Sequence, residues 1–112
     1  MELIVKQKGS ACILAPDGTL DATGGEKLLA LLQDPALELH EVIIDGLLWF
    51  DVTGEGLEAL IRFREALEGR AYLRLRHIRP EILEILELTE LIYGFEIEDM
   101  PGSRALTDSQ EK

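Results

Sequence analysis

Cysteine, proline and aromatic side chains are scarce here: one Cys, four Pro and 5% Phe, Trp and Tyr in 112 residues. A lone thiol closes no internal disulfide, so Cys12 points to a reducing compartment, the cytoplasm. Cys12 lies in an apolar run and reads as buried filler rather than as a nucleophile. No apolar stretch approaches the roughly 20 residues of a membrane-spanning helix, and no basic-then-apolar leader opens the chain. The expectation is a soluble cytoplasmic protein with no membrane insertion.

Positive charge is scarce as well: 11 Lys and Arg face 22 Asp and Glu, for a formal net charge of −11. Such a surface repels phosphate backbones and anionic headgroups, which argues against direct nucleic-acid binding. It serves solubility, and it suits a partner protein that carries a basic patch. Signatures of catalysis are missing too. His40 and His77 stand far apart and Cys12 has no ligand-type neighbour, so there is no zinc spacing. Ser10, Ser103 and Ser109 belong to no nucleophile-elbow motif, and neither glycine-rich phosphate loop occurs. Asp45 reads as a polar strand terminus. No enzyme, metal or cofactor is expected.

What the chain does have is a hydrophobic fraction of 46%, enough for one modest core in one domain. Leu3-Ile4-Val5 and Ala11-Cys12-Ile13-Leu14-Ala15 read as strands joined at Gly9-Ser10 in a hairpin. Pro16-Asp17-Gly18 reads as a turn, because Pro presets φ and Gly accepts positive φ. Thr23-Gly24-Gly25-Glu26 has capping-box spacing. It predicts a helix with Leu28, Leu29, Leu31 and Leu32 as its apolar face, ended by Pro35. Val42-Ile43-Ile44 is an unbroken apolar run, the mark of a strand buried on both faces.

A second helix is predicted from Asp51-Val52-Thr53-Gly54 onward, with Leu57, Leu60, Ile61, Arg64 and Leu67 on one side and Gly69 past its end. Ala71 to Arg76 alternates like a half-exposed strand. Pro80 suits the start of a third helix, with Ile82, Ile85, Leu86 and Thr89 at helical spacing, and Phe95-Glu96-Ile97 reads as a short last strand. Trp49 and Phe50 read as half-buried supports of the loop that follows them. The predicted order is ββαβαβα, an α/β fold with a mixed sheet of about 4–5 strands covered by about 3–4 helices. The domain is expected to span residues 1–100, with 101–112 a polar, frayed tail.

Taken in order, these segments resemble the STAS family, shared by anti-sigma-factor antagonists, stressosome subunits and the cytoplasmic tails of sulfate transporters. That family has a buried strand, then Asp-Ser-Ser/Thr-Gly opening an amphipathic helix. This chain has Val42-Ile43-Ile44-Asp45, then Trp49-Phe50-Asp51-Val52-Thr53-Gly54-Glu55-Gly56-Leu57. Gly18-Thr19-Leu20-Asp21 resembles the turn and acidic element ahead of the first helix. Ile78 to Ile82 and Leu86 to Leu91 resemble the approach to the Leu-x-x-x-Gly-Leu ending. Two positions depart from the pattern. Val52 replaces the usual phosphoacceptor Ser, which leaves Thr53 as a candidate phosphoacceptor or a simple helix cap. Glu90 stands where the family often has Gly.

The resemblance implies a regulatory module that docks an anti-sigma-factor or serine-kinase-like partner. Its partner-binding residues would be Asp21, Ala22, Thr23, Asp51, Val52, Thr53, Gly54 and Glu55. In the family, a phosphate on the loop acts as a switch, adding about −1.5 to −2 charge at pH 7. Beside Asp51, Glu55 and Glu58 that charge would drive the partner off. Without a hydroxyl at Val52, docking is expected to be constitutive or to be regulated at Thr53. Two alternatives come with the same family, a subunit of a lipid- or anion-transport complex and a self-assembling homo-oligomeric scaffold of the stressosome type. Gly54 and Gly56 each lower helix propensity by roughly 1 kcal/mol, for close approach either of a partner or of the sheet.

Overall fold

The computed structural model describes residues 1–98; the tail expected at 101–112 lies outside the described residues. Strands β1 (Glu2–Lys8) and β2 (Ala11–Leu20) form the antiparallel hairpin around Gly9. Strands β3 (Glu41–Asp45), β5 (Tyr72–Arg76) and β6 (Glu96–Ile97) extend the sheet in parallel, in the order β1-β2-β3-β5-β6. A further strand, β4 (Trp49–Val52), pairs in parallel with the far end of β2. The helices are α1 (Ala22–Ala30), α2 (Gly54–Leu67) and α3 (Pro80–Leu88), with 3-10 turns at Leu31–Gln33 and Leu91–Gly94. The mixed α/β architecture is the expected one. The sheet has six strands rather than 4–5 because β4, only four residues long, carries too little periodicity to be read.

Three local expectations are corrected. Pro16-Asp17-Gly18 is not a turn but the middle of β2. Pro16 lies past Leu14, where the ladder to β3 ends, so its missing N–H breaks no bond of that ladder. Gly18, at φ 100°, marks the register shift at which β2 begins to pair with β4. The cap of α1 is Asp21 rather than Thr23: its carboxylate accepts the Gly24 N–H at 2.9 Å. Strand β2 runs straight through to Leu20, so Asp21 is the first residue free to turn into a helix, and a carboxylate also suits the helix dipole. The buried stripe of α2 is Gly56, Ala59, Leu60, Phe63 and Leu67, with Leu57 and Ile61 only partly covered. That stripe is rotated from the expected one because α2 packs on α1 as well as on the sheet.

One face of the sheet holds the core. Cys12 and Leu14 of β2, Val42 and Ile44 of β3, and Leu73 and Leu75 of β5 meet Leu28 of α1 and Leu60, Phe63 and Leu67 of α2. Each fully buried side chain of this size contributes about 1.5–3 kcal/mol. Cys12 is fully buried, as filler should be, and burial pushes its thiol pKa up. Val42-Ile43-Ile44 is buried throughout, as its unbroken apolar run requires.

The first turn of α2 explains one of its glycines and not the other. A Cβ on Gly56 would sit 2.0 Å from the Leu20 carbonyl oxygen, so the helix touches the end of β2 backbone to backbone. A Cβ on Gly54 would meet nothing within 4 Å. Of the two readings, sheet packing holds for Gly56. Downstream, α3 gives way to Glu90 at φ 62°, the left-handed region in which glycine is favoured.

Gly56→Ala is expected to destabilise the domain by about 1–3 kcal/mol through overpacking, and Gly54→Ala to stabilise it by up to about 1 kcal/mol. Urea melts of the two variants should move their midpoints in opposite directions; a shared direction would refute the backbone contact. Glu90→Gly is expected to raise stability by about 1 kcal/mol through relief of the left-handed backbone, and an unchanged or lower midpoint would count against that.

Candidate partner-docking end of the domain

The two segments singled out in the sequence, Asp21 to Thr23 and Asp51 to Glu55, meet at one end of the sheet. Leu20 and Val52 are register partners across β2 and β4, and the Thr53 N–H donates to the Leu20 carbonyl at 2.9 Å. Thr53 also caps α2: its hydroxyl oxygen accepts the Gly56 N–H at 3.1 Å and lies 3.5 Å from the Leu20 oxygen. Its Oγ1 is therefore engaged, not free. Asp21 is committed in the same way at α1, and the Gly24 N–H it accepts is the main reason its carboxyl is held below the usual range. Val52 is half-buried and packs against the core. Thr23, Asp51 and Gly54 are exposed.

Only Ala22 and Glu55 of the eight expected residues line the groove that opens between α1 and α2. This groove of about 200 Å³ takes Gly25, Glu26 and Leu29 from α1, and Glu58, Ala59 and Arg62 from α2. Small residues set its depth, since a Cβ on Gly25 would come within 2.6 Å of the Ala59 Cβ. Three carboxylates, Glu26, Glu55 and Glu58, stand around it against one guanidinium. Arg62 pairs with Glu58 at 3.2 Å, but both are exposed and such a pair contributes little. The groove offers a negative rim over a shallow floor, which suits a Lys or Arg side chain from a protein surface. Sequence reasoning did not assign Glu26, Leu29 or Arg62 to the site, because their meeting depends on how α1 crosses α2.

The aromatic pair before the loop divides. Trp49 is 0% exposed, and its indole N–H donates to the Asp51 carbonyl at 2.9 Å, which fixes the start of the loop. Phe50 is 53% exposed, with the Arg79 guanidinium 4.0 Å from its ring centroid. The expected half-burial is thus corrected for both residues, since Trp49 supports the loop from full burial and Phe50 is exposed. Alternation along β4 places these neighbours on opposite faces, a distinction that depends on knowing the short strand is there. Exposed Leu47 and Leu48 lie just ahead of them.

At the end of β3, Asp45 ties the same end of the sheet together. Its carboxylate accepts from Arg76 Nε at 3.2 Å and from the Leu47 N–H at 3.1 Å, and lies 3.1 Å from His77 Nδ1. Burial alone would raise its pKa, but the bonds from Leu47, His77 and Arg76 outweigh burial and hold it low. Among the described residues, no three His, Cys, Asp or Glu side chains gather as metal ligands would. No helix among them is long and apolar enough to cross a membrane.

No protein-family model matches the chain, and no curated protein matches it by sequence. Solved structures do. The unphosphorylated form of the anti-sigma factor antagonist SpoIIAA superposes with a TM-score of 0.63 at 15% identity, over 97% of this chain and 98% of its own. A Thermotoga maritima protein described as an anti-sigma factor antagonist gives a TM-score of 0.73 at 15% identity, over 95% of this chain and 92% of its own. The fold is that of a STAS domain. A sulfate transporter family protein from Wolinella succinogenes shares it, with a TM-score of 0.70 and 17% identity over 82% of this chain and 81% of its own. At such identities the likeness establishes the STAS fold and leaves partner and regulation to this chain's own residues.

Asp45 sets a pH dependence whose sign follows from its lowered pKa. A carboxylate with a depressed folded-state pKa adds stability that is fully present above the unfolded value of about 3.9. That stability is lost as pH falls through the folded value. Urea melts at pH 7, 5 and 3 should show a larger acid loss for the wild-type domain than for Asp45→Asn. Equal losses in the two proteins would remove Asp45 from the account.

Proposed function

We propose that this STAS-fold chain is a cytoplasmic regulatory module that binds a protein partner, of the anti-sigma-factor or serine-kinase type, and catalyses nothing itself. The observation that supports this reading is that the two switch-like segments meet at one end of the sheet and each gives one residue, Ala22 and Glu55, to one acidic groove between α1 and α2. A basic side chain of the partner enters that groove between Glu26, Glu55 and Glu58, while Asp51 and Gly54 face the partner around it. Rim carboxylates of this kind steer encounter and select against acidic surfaces.

Docking is constitutive in this proposal. Val52 offers no hydroxyl, and the Thr53 hydroxyl is held in the α2 cap. A kinase acting on Thr53 would first have to release that cap, a loss of about 1 kcal/mol. The likeness to a sulfate transporter family protein favours one second reading, in which the partner is a transport-complex subunit.

Affinity purification of the full chain from its native cell should retain a protein-kinase-like partner. Transport ATPase subunits in its place would favour the second reading, and large homo-assemblies in light scattering would point to a scaffold. With the purified partner, Glu55→Lys combined with Glu58→Lys is expected to weaken association at least tenfold; undiminished association would sink the docking site. Incubation with the partner and ATP should leave the intact mass unchanged, and a phosphate mapped to Thr53 would overturn constitutive docking.

A further inference from the structure

The face of the sheet away from α1 and α2 carries a second groove of different character. Parallel strands are ordinarily covered on both faces. Here β2, β3, β5 and β6 run parallel, yet Ile13 of β2 and the buried Ile43 of β3, which face this side, lie outside the main core cluster. Between β1 and the end of β3 this face forms a groove of about 270 Å³. Ile13 and Ala15 of β2 make its floor, and the small Ala15 side chain gives it depth. One wall is Ile4, Lys6 and Lys8 of β1; the other is Leu47, Leu48 and Arg76. The volume lies below the roughly 300–1,000 Å³ of small-molecule sites and suits one or two aliphatic side chains instead.

Charge identifies the occupant. The chain as a whole carries −11, but the groove sets three cations against the single carboxylate of Asp45, which Arg76 and His77 already engage. Lys6 and Lys8 form no ion pair among the described residues, whereas Arg74, further across the face, is occupied by Glu41, Glu96 and Glu98. Glu2 and Asp17 lie at the other end of the hairpin. Alternation along β1 puts Lys6 and Lys8 on the same side, about 6.5–7 Å apart. Alternate carboxylates of an extended segment have the same spacing. The cations repel the same groove of a second copy, and they attract acid.

We propose that this groove is a second docking site, which takes an acidic segment of a partner protein with a Leu or Ile side chain among its carboxylates. The aliphatic side chain rests on Ile13 and Ala15 between Ile4 and Leu48, and flanking carboxylates pair with Lys6 and Lys8. The site is independent of the α1–α2 groove, whose rim has the opposite charge.

A fluorescein-labelled probe peptide, acetyl-Glu-Asp-Leu-Glu-Ile-Asp-amide, titrated into the full chain by anisotropy tests the proposal. Binding is expected to weaken as salt rises. It should fall at least tenfold in Lys6→Glu/Lys8→Glu, whose exposed positions leave the fold and circular dichroism intact, and about threefold or more in Leu48→Ala. A peptide with Lys in place of every acid should not bind. Equal affinity for the double variant, or for the Lys peptide, overturns the proposal. So does a dimer in sedimentation equilibrium that Lys6→Glu/Lys8→Glu abolishes, which would assign the groove to a second copy. Shifts in the NMR signals of residues beyond 98 caused by the same double variant in the free chain would assign it to the chain's own C-terminal segment, and equally overturn it. Failure here leaves the α1–α2 docking site untouched, because that site is read through Glu55 and Glu58.

Discussion

The carbonyl of Leu20 is the point on which the rest of the functional end depends. It accepts the Thr53 N–H at 2.9 Å and lies against the Cα of Gly56, where a side chain would collide with it at 2.0 Å. This one backbone oxygen joins the end of β2 to the start of α2. Since β2 passes directly into α1 through Asp21, the junction also sets where α1 begins. Both helices therefore leave the sheet from neighbouring points, and Gly25 can close on Ala59. Without that approach there would be two amphipathic helices on a sheet but no groove between them. The helix caps belong to the same device. Asp21 and Thr53 each satisfy an amide of the first turn, so two residues that look like exposed switch elements are structural.

Electrostatics then separates the two faces of the molecule. On the helix side, Glu26, Glu55 and Glu58 crowd one groove. On the other sheet face, Lys6, Lys8 and Arg76 surround aliphatic residues. At physiological ionic strength the Debye length is about 8 Å, so patches on opposite sides of a sheet act on partners separately. A net charge of −11 describes neither of them. It sets solubility and long-range steering, while local arrangement decides which partner surface each patch prefers.

Much of the architecture was legible because local physics dictates it. Val42-Ile43-Ile44 is a central strand since an unbroken β-branched run has no polar face to expose. Pro80 starts α3 because a helix tolerates proline where the amide is unpaired anyway. The failures are equally physical. Pro16-Asp17-Gly18 has turn chemistry, yet pairing with β1 and then β4 keeps it extended, an override of local preference by tertiary partners. Phe63 escaped the expected stripe of α2 because the stripe is defined by two packing surfaces rather than one. Strand β4 was too short to register, and with it went the distinction between the buried Trp49 and the exposed Phe50.

By itself, the sequence determined the class of fold, the order of its main elements, the acidic character of the chain and the absence of a hydroxyl at Val52. These follow from periodicity, turn and cap chemistry, and composition, all of which act within a few residues. Only the tertiary structure decided that the Thr53 N–H meets the Leu20 carbonyl, that Ala22 and Glu55 share a groove with Glu26 and Glu58, and that Lys6 and Lys8 face Leu48 across Ile13 and Ala15. Those relations join residues far apart along the chain. They exist only once the sheet has set its register and α1 has crossed α2, and no local preference encodes either event.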